Sequence, residues 1–209
     1  MAKAKKMEQK TDRTNRAARL IADLTNPSVL SVLLLLLIAF LKSHRPSDAA
    51  VWMGVIFALY ILIPVVYVYL RMHASGIRSK SILVLITFLK KHPKDILILS
   101  VVLGIPCLML LILLKAPAIL LAPVAALLAG SIVTALFNTF YRVSYHLTAL
   151  TILVIMTAHT WGFAYLLLGL IIPLVSWAKF RTREHTIPQL VEGMAVATVV
   201  CLAVLLYFG

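Results

Sequence analysis

From Pro27 onward the chain alternates long apolar runs with short polar breaks, and polar residues are confined almost wholly to those breaks. A helix that crosses a bilayer needs roughly 17–25 mostly apolar residues, with shorter runs rescued by flanking anchors. On that criterion seven segments emerge, at about 27–42, 49–70, 95–114, 117–138, 144–159, 161–178 and 187–208. The first and fifth are short. Lys115-Ala116-Pro117 reads as a tight turn between two antiparallel helices, and a six-span count requires merging or discarding a segment. The expected fold is therefore all-α, a polytopic membrane bundle of about seven transmembrane helices, or six on the merged count, over residues 27–209.

The run 82–89, bracketed by Arg78, Lys80, Lys90 and Lys91, is too short to span and is expected at the lipid surface or tucked against the bundle. Residues 1–26 form a basic leader, too long and polar for a secretory signal and lacking a small-residue cleavage site. Within it, residues 9–24 mix charged with small apolar side chains, which suits an interfacial helix. Prolines 64, 106, 123 and 173 fall inside the apolar segments, where kinks are tolerated.

Charge gives an independent test. If the N-terminus is cytoplasmic, seven spans put 1–26, 71–94, 139–143 and 179–186 inside, and these hold 17 of the 20 Lys and Arg. Lys42, Arg45 and Lys115 alone fall outside. That asymmetry is what the positive-inside rule demands. Overall the chain is 62% hydrophobic and 13% charged, about half the charged fraction of a soluble domain. Cys107 and Cys201 lie in apolar runs and read as small hydrophobic side chains. Trp52, Trp161 and Trp177 near span ends suit interface anchors.

Beyond the leader the acidic residues are only Asp48, Asp95, Glu184 and Glu192, so no aspartate cluster exists to hold Mg²⁺. Nor is there a P-loop, a GxSxG elbow or a Cys pair at metal spacing. No metal and no cofactor are expected. Six histidines remain: 44, 73, 92, 146, 159 and 185. His146 and His185 each sit where an inner helix begins, beside Arg142 and beside Lys179, Arg181 and Arg183. A helix start offers unpaired N–H groups and a positive dipole end, which favour a phosphate. Ser144 can cap one helix and donate to an anion; Thr186 can cap the other, with Pro188 in its first turn. Each group also has an ordinary reading: basic residues at inner helix ends set topology and meet anionic headgroups, and histidines there can be plain interfacial residues. Glu192, within an apolar helix, is costly and expected to face the bundle interior.

The pattern resembles the type 2 phosphatidic acid phosphatase superfamily, whose signature is K-x6-RP, PSGH and SR-x5-H-x3-D. Val143-Ser144-Tyr145-His146 falls where PSGH stands, and Ala178-Lys179, His185 and Gln189 fall where SR-x5-H-x3-D stands, followed by Gly193. Lys replaces the Arg and Gln the Asp, and Lys90-Lys91-His92-Pro93 is the candidate for the RP piece, without a lysine seven residues before His92. The resemblance covers about residues 143–193. It implies that His185 attacks phosphorus to form a phosphohistidine, His146 protonates the leaving alcohol, and Gln189 stands in the position that orients the nucleophile. It implies further that Lys179, Ser144 and Lys91 hold phosphate; Arg142, Arg181 and Arg183 join them by location alone. The expected partners are membrane lipids, with a phosphorylated lipid as substrate and no nucleic acid. A non-catalytic relative that binds or moves phosphorylated lipids is the alternative.

Overall fold

The computed structural model describes residues 17–18, 20–21, 25–43, 45–74 and 98–208. Among them every regular element is helical. Helix α1 is Pro27–Lys42, α2 runs Pro46–Ala74, and α3 is Ile105–Leu113 behind a π-helical stretch, Leu99–Gly104. Helices α4, Ala118–Phe137, and α5, Tyr145–Trp161, follow. Then come α6, Phe163–Arg181, whose first part Phe163–Leu170 is 3₁₀, and α7, Ile187–Phe208. Four of these, α2, α4, α6 and α7, are long and apolar enough to cross a membrane. Large apolar side chains cover their outer faces, among them Val65, Leu70, Leu167, Leu170, Val199 and Leu206. In water such a surface would aggregate, so the chain reads as a multi-pass membrane protein. The short 82–89 run and most of the leader lie outside the described residues; of the leader, Ala18 and Thr25 are buried and Ile21 packs against the cluster of Leu147, Leu150, Val175 and Leu190.

Three of the four in-span prolines, 64, 106 and 173, come with local relief. A proline ring strikes the carbonyl four residues back and gives no N–H to it. For Pro64 and Pro106 those carbonyls, on Tyr60 and Val102, belong to π-helical turns, Ala58–Leu62 and Leu99–Gly104. For Pro173 the carbonyl is that of Gly169, in the 3₁₀ stretch. The non-α turn re-aims the carbonyl, so each helix continues past its proline.

Helix α5 is the least apolar of the later helices and lies in the middle, packed by α1, α4, α6 and α7. Its neighbours reach it through small residues. Gly130 and Ala126 of α4 meet Ile152, and Ala197 and Cys201 of α7 join Ile152 and Met156 in one buried cluster. Four-residue spacing of small residues, Ala126-Gly130-Thr134 and Gly193-Ala197-Cys201, lets backbones close up where lipid supplies no hydrophobic drive. Thr157 and Thr160 return their hydroxyls to the carbonyls of Leu153 and Met156, which satisfies these two polar groups within α5.

Two reversals share one design. Helix α3 closes with Lys115 N–H on Ile112 C=O and Ala116 N–H on Leu111 C=O, and Lys115 has φ 57°. Helix α6 closes with Arg183 N–H on Phe180 C=O and Glu184 N–H on Lys179 C=O, and Arg183 has φ 56°. Both are Schellman endings with a left-handed residue where glycine is usual. The first makes the expected turn at 115–117.

Candidate functional site at the paired starts of two helices

Helices α5 and α7 run in the same direction with their starts side by side. The Ser144 N–H donates to the Gln189 carbonyl at 3.3 Å, joining the two first turns. One turn on, Gly193 lets α7 press against α5: a Cβ there would lie 2.9 Å from the Ser144 carbonyl oxygen and 3.3 Å from Thr148 Oγ1. Behind the junction Thr134 Oγ1 donates to Thr148 Oγ1, which in turn donates to Ser144 C=O. Asn138 ties the loop that leads in. Its amide donates to Thr134 and Val143 carbonyls, and its oxygen accepts from Val143 N–H at 2.9 Å. Ser144 is fully buried as the N-cap of α5, with its Oγ accepting from Leu147 N–H.

At the start of α7, Thr186-Ile187-Pro188-Gln189 has the spacing of a capping box, and Gln189 Oε1 accepts from Thr186 N–H at 3.1 Å. The same oxygen lies 3.3 Å from His185 Nδ1. A backbone N–H can only donate, so it fixes which end of the amide is oxygen. That oxygen can only accept, so Nδ1 carries the proton and the neutral ring keeps its lone pair on Nε2.

The α6 ending sets Lys179 beside His185. Lys179 and Glu184 occupy the third-from-last and second-beyond positions of the Schellman motif, which often touch through apolar groups. Here they form an ion pair, Nζ to Oε2 at 2.7 Å. The Lys179 side chain is only 8% exposed and that of Glu184 47%. Thr182 Oγ1 donates to the other carboxylate oxygen.

Burial pushes the His185 imidazole below its ordinary proton affinity, the Gln189 hydrogen bond opposes that, Lys179 lowers it, Glu184 raises it and Arg142 lowers it. The net direction is down. The unfolded chain then binds this proton at a higher pH than the folded one. Stability contributed at neutral pH should therefore begin to fall as pH drops below about 6.5 and stop falling below the folded value. Thermal unfolding in detergent from pH 7.5 to pH 5 should show this component in the native chain and lose it in His185→Gln.

The structure thus gathers His185, Gln189, Ser144, Lys179 and Arg142 around the paired starts, with Arg142, Arg181 and Arg183 exposed at that end. His146 follows a different course. Its Nε2 lies 3.4 Å from Thr25 Oγ1, whose hydroxyl proton goes to Ile21 C=O, so Nε2–H is the donor. Thr25 tethers the end of the leader to α5 in this way. Lys91 lies outside the described residues. Among the described residues no three His, Cys, Asp or Glu come together as a metal site would require. Sequence reasoning missed Asn138, Thr25 and the pairing of Glu184. For Asn138 the only signal was an amide in the break before α5.

No family model, curated protein or solved structure matches the chain.

Proposed function

We propose that the chain is an integral membrane phosphatase or phosphotransferase for a phosphorylated lipid, a phospholipid or polyprenyl (di)phosphate, working through a phosphohistidine and without a metal. The observation that carries this reading is the state of His185: a neutral ring, its Nδ1–H held by Gln189 and its Nε2 lone pair left for attack, beside Lys179 and Arg142. In the scheme Nε2 bonds to phosphorus as the ester oxygen departs, and the imidazole becomes cationic. Gln189 holds the ring but brings no negative charge. The leaving alcohol takes its proton from His146, which requires the Thr25 contact to open. Water then cleaves the phosphohistidine, or an acceptor alcohol takes the phosphoryl group.

The proposal takes all seven apolar segments as spans, with 1–26, 71–94, 139–143 and 179–186 in the cytoplasm and Gly209 outside. The 17 of 20 Lys and Arg on the inner side support it. Helix α5, with 17 residues, is shielded by its neighbours and need not match the lipid thickness by itself.

A second reading, a non-catalytic relative that binds or translocates phosphorylated lipids, draws on two observations. Lys179 already has a carboxylate partner, and Gln189 serves the α7 cap. Purified protein in detergent, given short-chain phosphatidate or a polyprenyl diphosphate with a chelator present, separates the two. Phosphate release that survives chelation, yields to orthovanadate and vanishes in His185→Ala is expected. Release that stops with chelator and returns with Mg²⁺ would overturn the mechanism; lipid binding without release would favour the second reading.

A further inference from the structure

We infer that the end of the leader is an autoinhibitory latch on His146, which slows reactions whose leaving group needs a proton and spares those whose leaving group does not. This rests on the phosphatase reading given above.

The latch has a dock and a catch. Ala18, Ile21 and Thr25 are spaced three and four residues apart, as the positions of one helix face are. Ala18 and Thr25 are buried, and Ile21 packs against Leu147 and Leu150 of α5, Val175 of α6 and Leu190 of α7. Leu20, on the opposite side, is exposed. That face is the dock. The catch is the Thr25 hydroxyl. It gives its own proton to the Ile21 carbonyl at 2.6 Å, so toward His146 it is an acceptor, and it holds Nε2–H at 3.4 Å. The contact is longer than the usual ~2.9–3.0 Å, so a stronger acceptor can take the ring from it.

The proton held there is the one that the reaction draws on. His185 Nε2 bonds to phosphorus, and the electron pair of the breaking P–O bond goes to the leaving oxygen. The catalytic form of His146 is the imidazolium, which gives up the Nε2 proton at the tip of its side chain and is left neutral. A departing alkoxide is strongly basic and requires that proton, so the Thr25 contact must open and its loss is added to the barrier. A nitrophenolate departs as a stable anion and takes no proton in the step, so the contact stays closed. The opening therefore weighs on one class of reaction and not on the other.

The test uses the full chain in detergent and two substrates. Short-chain phosphatidic acid has an alcohol leaving group; para-nitrophenyl phosphate releases a phenolate. Thr25→Val keeps the branched shape and removes the acceptor. It should raise kcat/KM for phosphatidic acid about two- to tenfold, the range that about 0.5–1.5 kcal/mol of hydrogen bond spans at about 1.4 kcal/mol per factor of ten. The aryl phosphate should react as it does with the native protein. Thr25→Ser, which restores the hydroxyl, should return phosphatidic acid to the native rate. Ile21→Ala weakens the dock without touching the hydroxyl; it should act in the same direction as the valine and serves if that variant folds poorly. Acylation of His146 by diethylpyrocarbonate, read by mass spectrometry against the exposed His159, should rise in both Thr25→Val and Ile21→Ala. A rise for both substrates alike, no rise for phosphatidic acid, or unchanged acylation of His146 overturns this inference alone. No phosphate release from either substrate by any variant overturns the phosphatase reading, and the latch with it.

Discussion

Valine at position 193 is expected to separate the two helix starts and to cost the bundle about 3 kcal/mol. Any Cβ there meets the Ser144 carbonyl oxygen at 2.9 Å and Thr148 Oγ1 at 3.3 Å. Neither can retreat. The carbonyl already accepts from Thr148 N–H and Oγ1, and Thr148 is also held by Thr134. Relief must come from moving α7 outward, which breaks the Ser144-to-Gln189 backbone hydrogen bond and shifts His185 away from Lys179. Thermal unfolding in detergent should show a large drop for Gly193→Val and a smaller one for Gly193→Ala. His185 ring resonances should move in both. A native-like transition for the valine variant would mean that the helices do not close as described.

Charge reversal at Lys179 should be at least as damaging, while its removal should be mild. Lys179→Glu puts a second carboxylate against Glu184 in a buried place, and an unpaired buried charge costs about 3–5 kcal/mol. Lys179→Met keeps the apolar stem and frees the half-exposed Glu184 to turn to water. A pair with one partner so exposed contributes little net stability, so this variant should stay within about 1 kcal/mol of the native protein. Both variants should lose affinity for phosphatidic acid. Urea or thermal unfolding beside a binding titration checks the pair. Equal stability losses in the two would show that Lys179 matters for packing and not for charge.

The helical segments were legible because lipid demands long apolar runs, and a run such as Ile187–Phe208 has no competing explanation. The turn at Lys115 and the helix start at Thr186 were legible from local residue order. Less was visible of how helices meet. Nothing in the residues around Tyr145–Trp161 announces that this helix takes the centre, since its position is decided by small residues on α4 and α7. The 29-residue extent of α2, beyond the 49–70 expected, reflects a first turn begun at Pro46 and a last turn carrying Arg71 and His73, polar residues that hydropathy alone discards. At the site, the two histidines and the phosphate-favouring helix starts could be read from order and spacing. The Lys179–Glu184 pair could not. Five residues apart is no neighbour distance on a helix, and only the left-handed Arg183 brings the two together. The Thr25 contact with His146 spans 121 residues and leaves no local trace.

The central place of α5 bears on how the protein is made. In the proposed seven-span arrangement, its threonines and terminal histidines make it a poor segment for the translocon to release into lipid unaided, since each polar group raises the cost of insertion. The groove that receives it is half built when it emerges, with α1 and α4 already made and α6 and α7 still to come. Insertion of α5 should then depend on α4 being in place to shield Thr148 behind Thr134, while later helices lock it. Defects in Ala126 or Gly130 should therefore surface during biogenesis, as chains whose fifth segment fails to enter the bilayer, before they surface as a less stable finished protein.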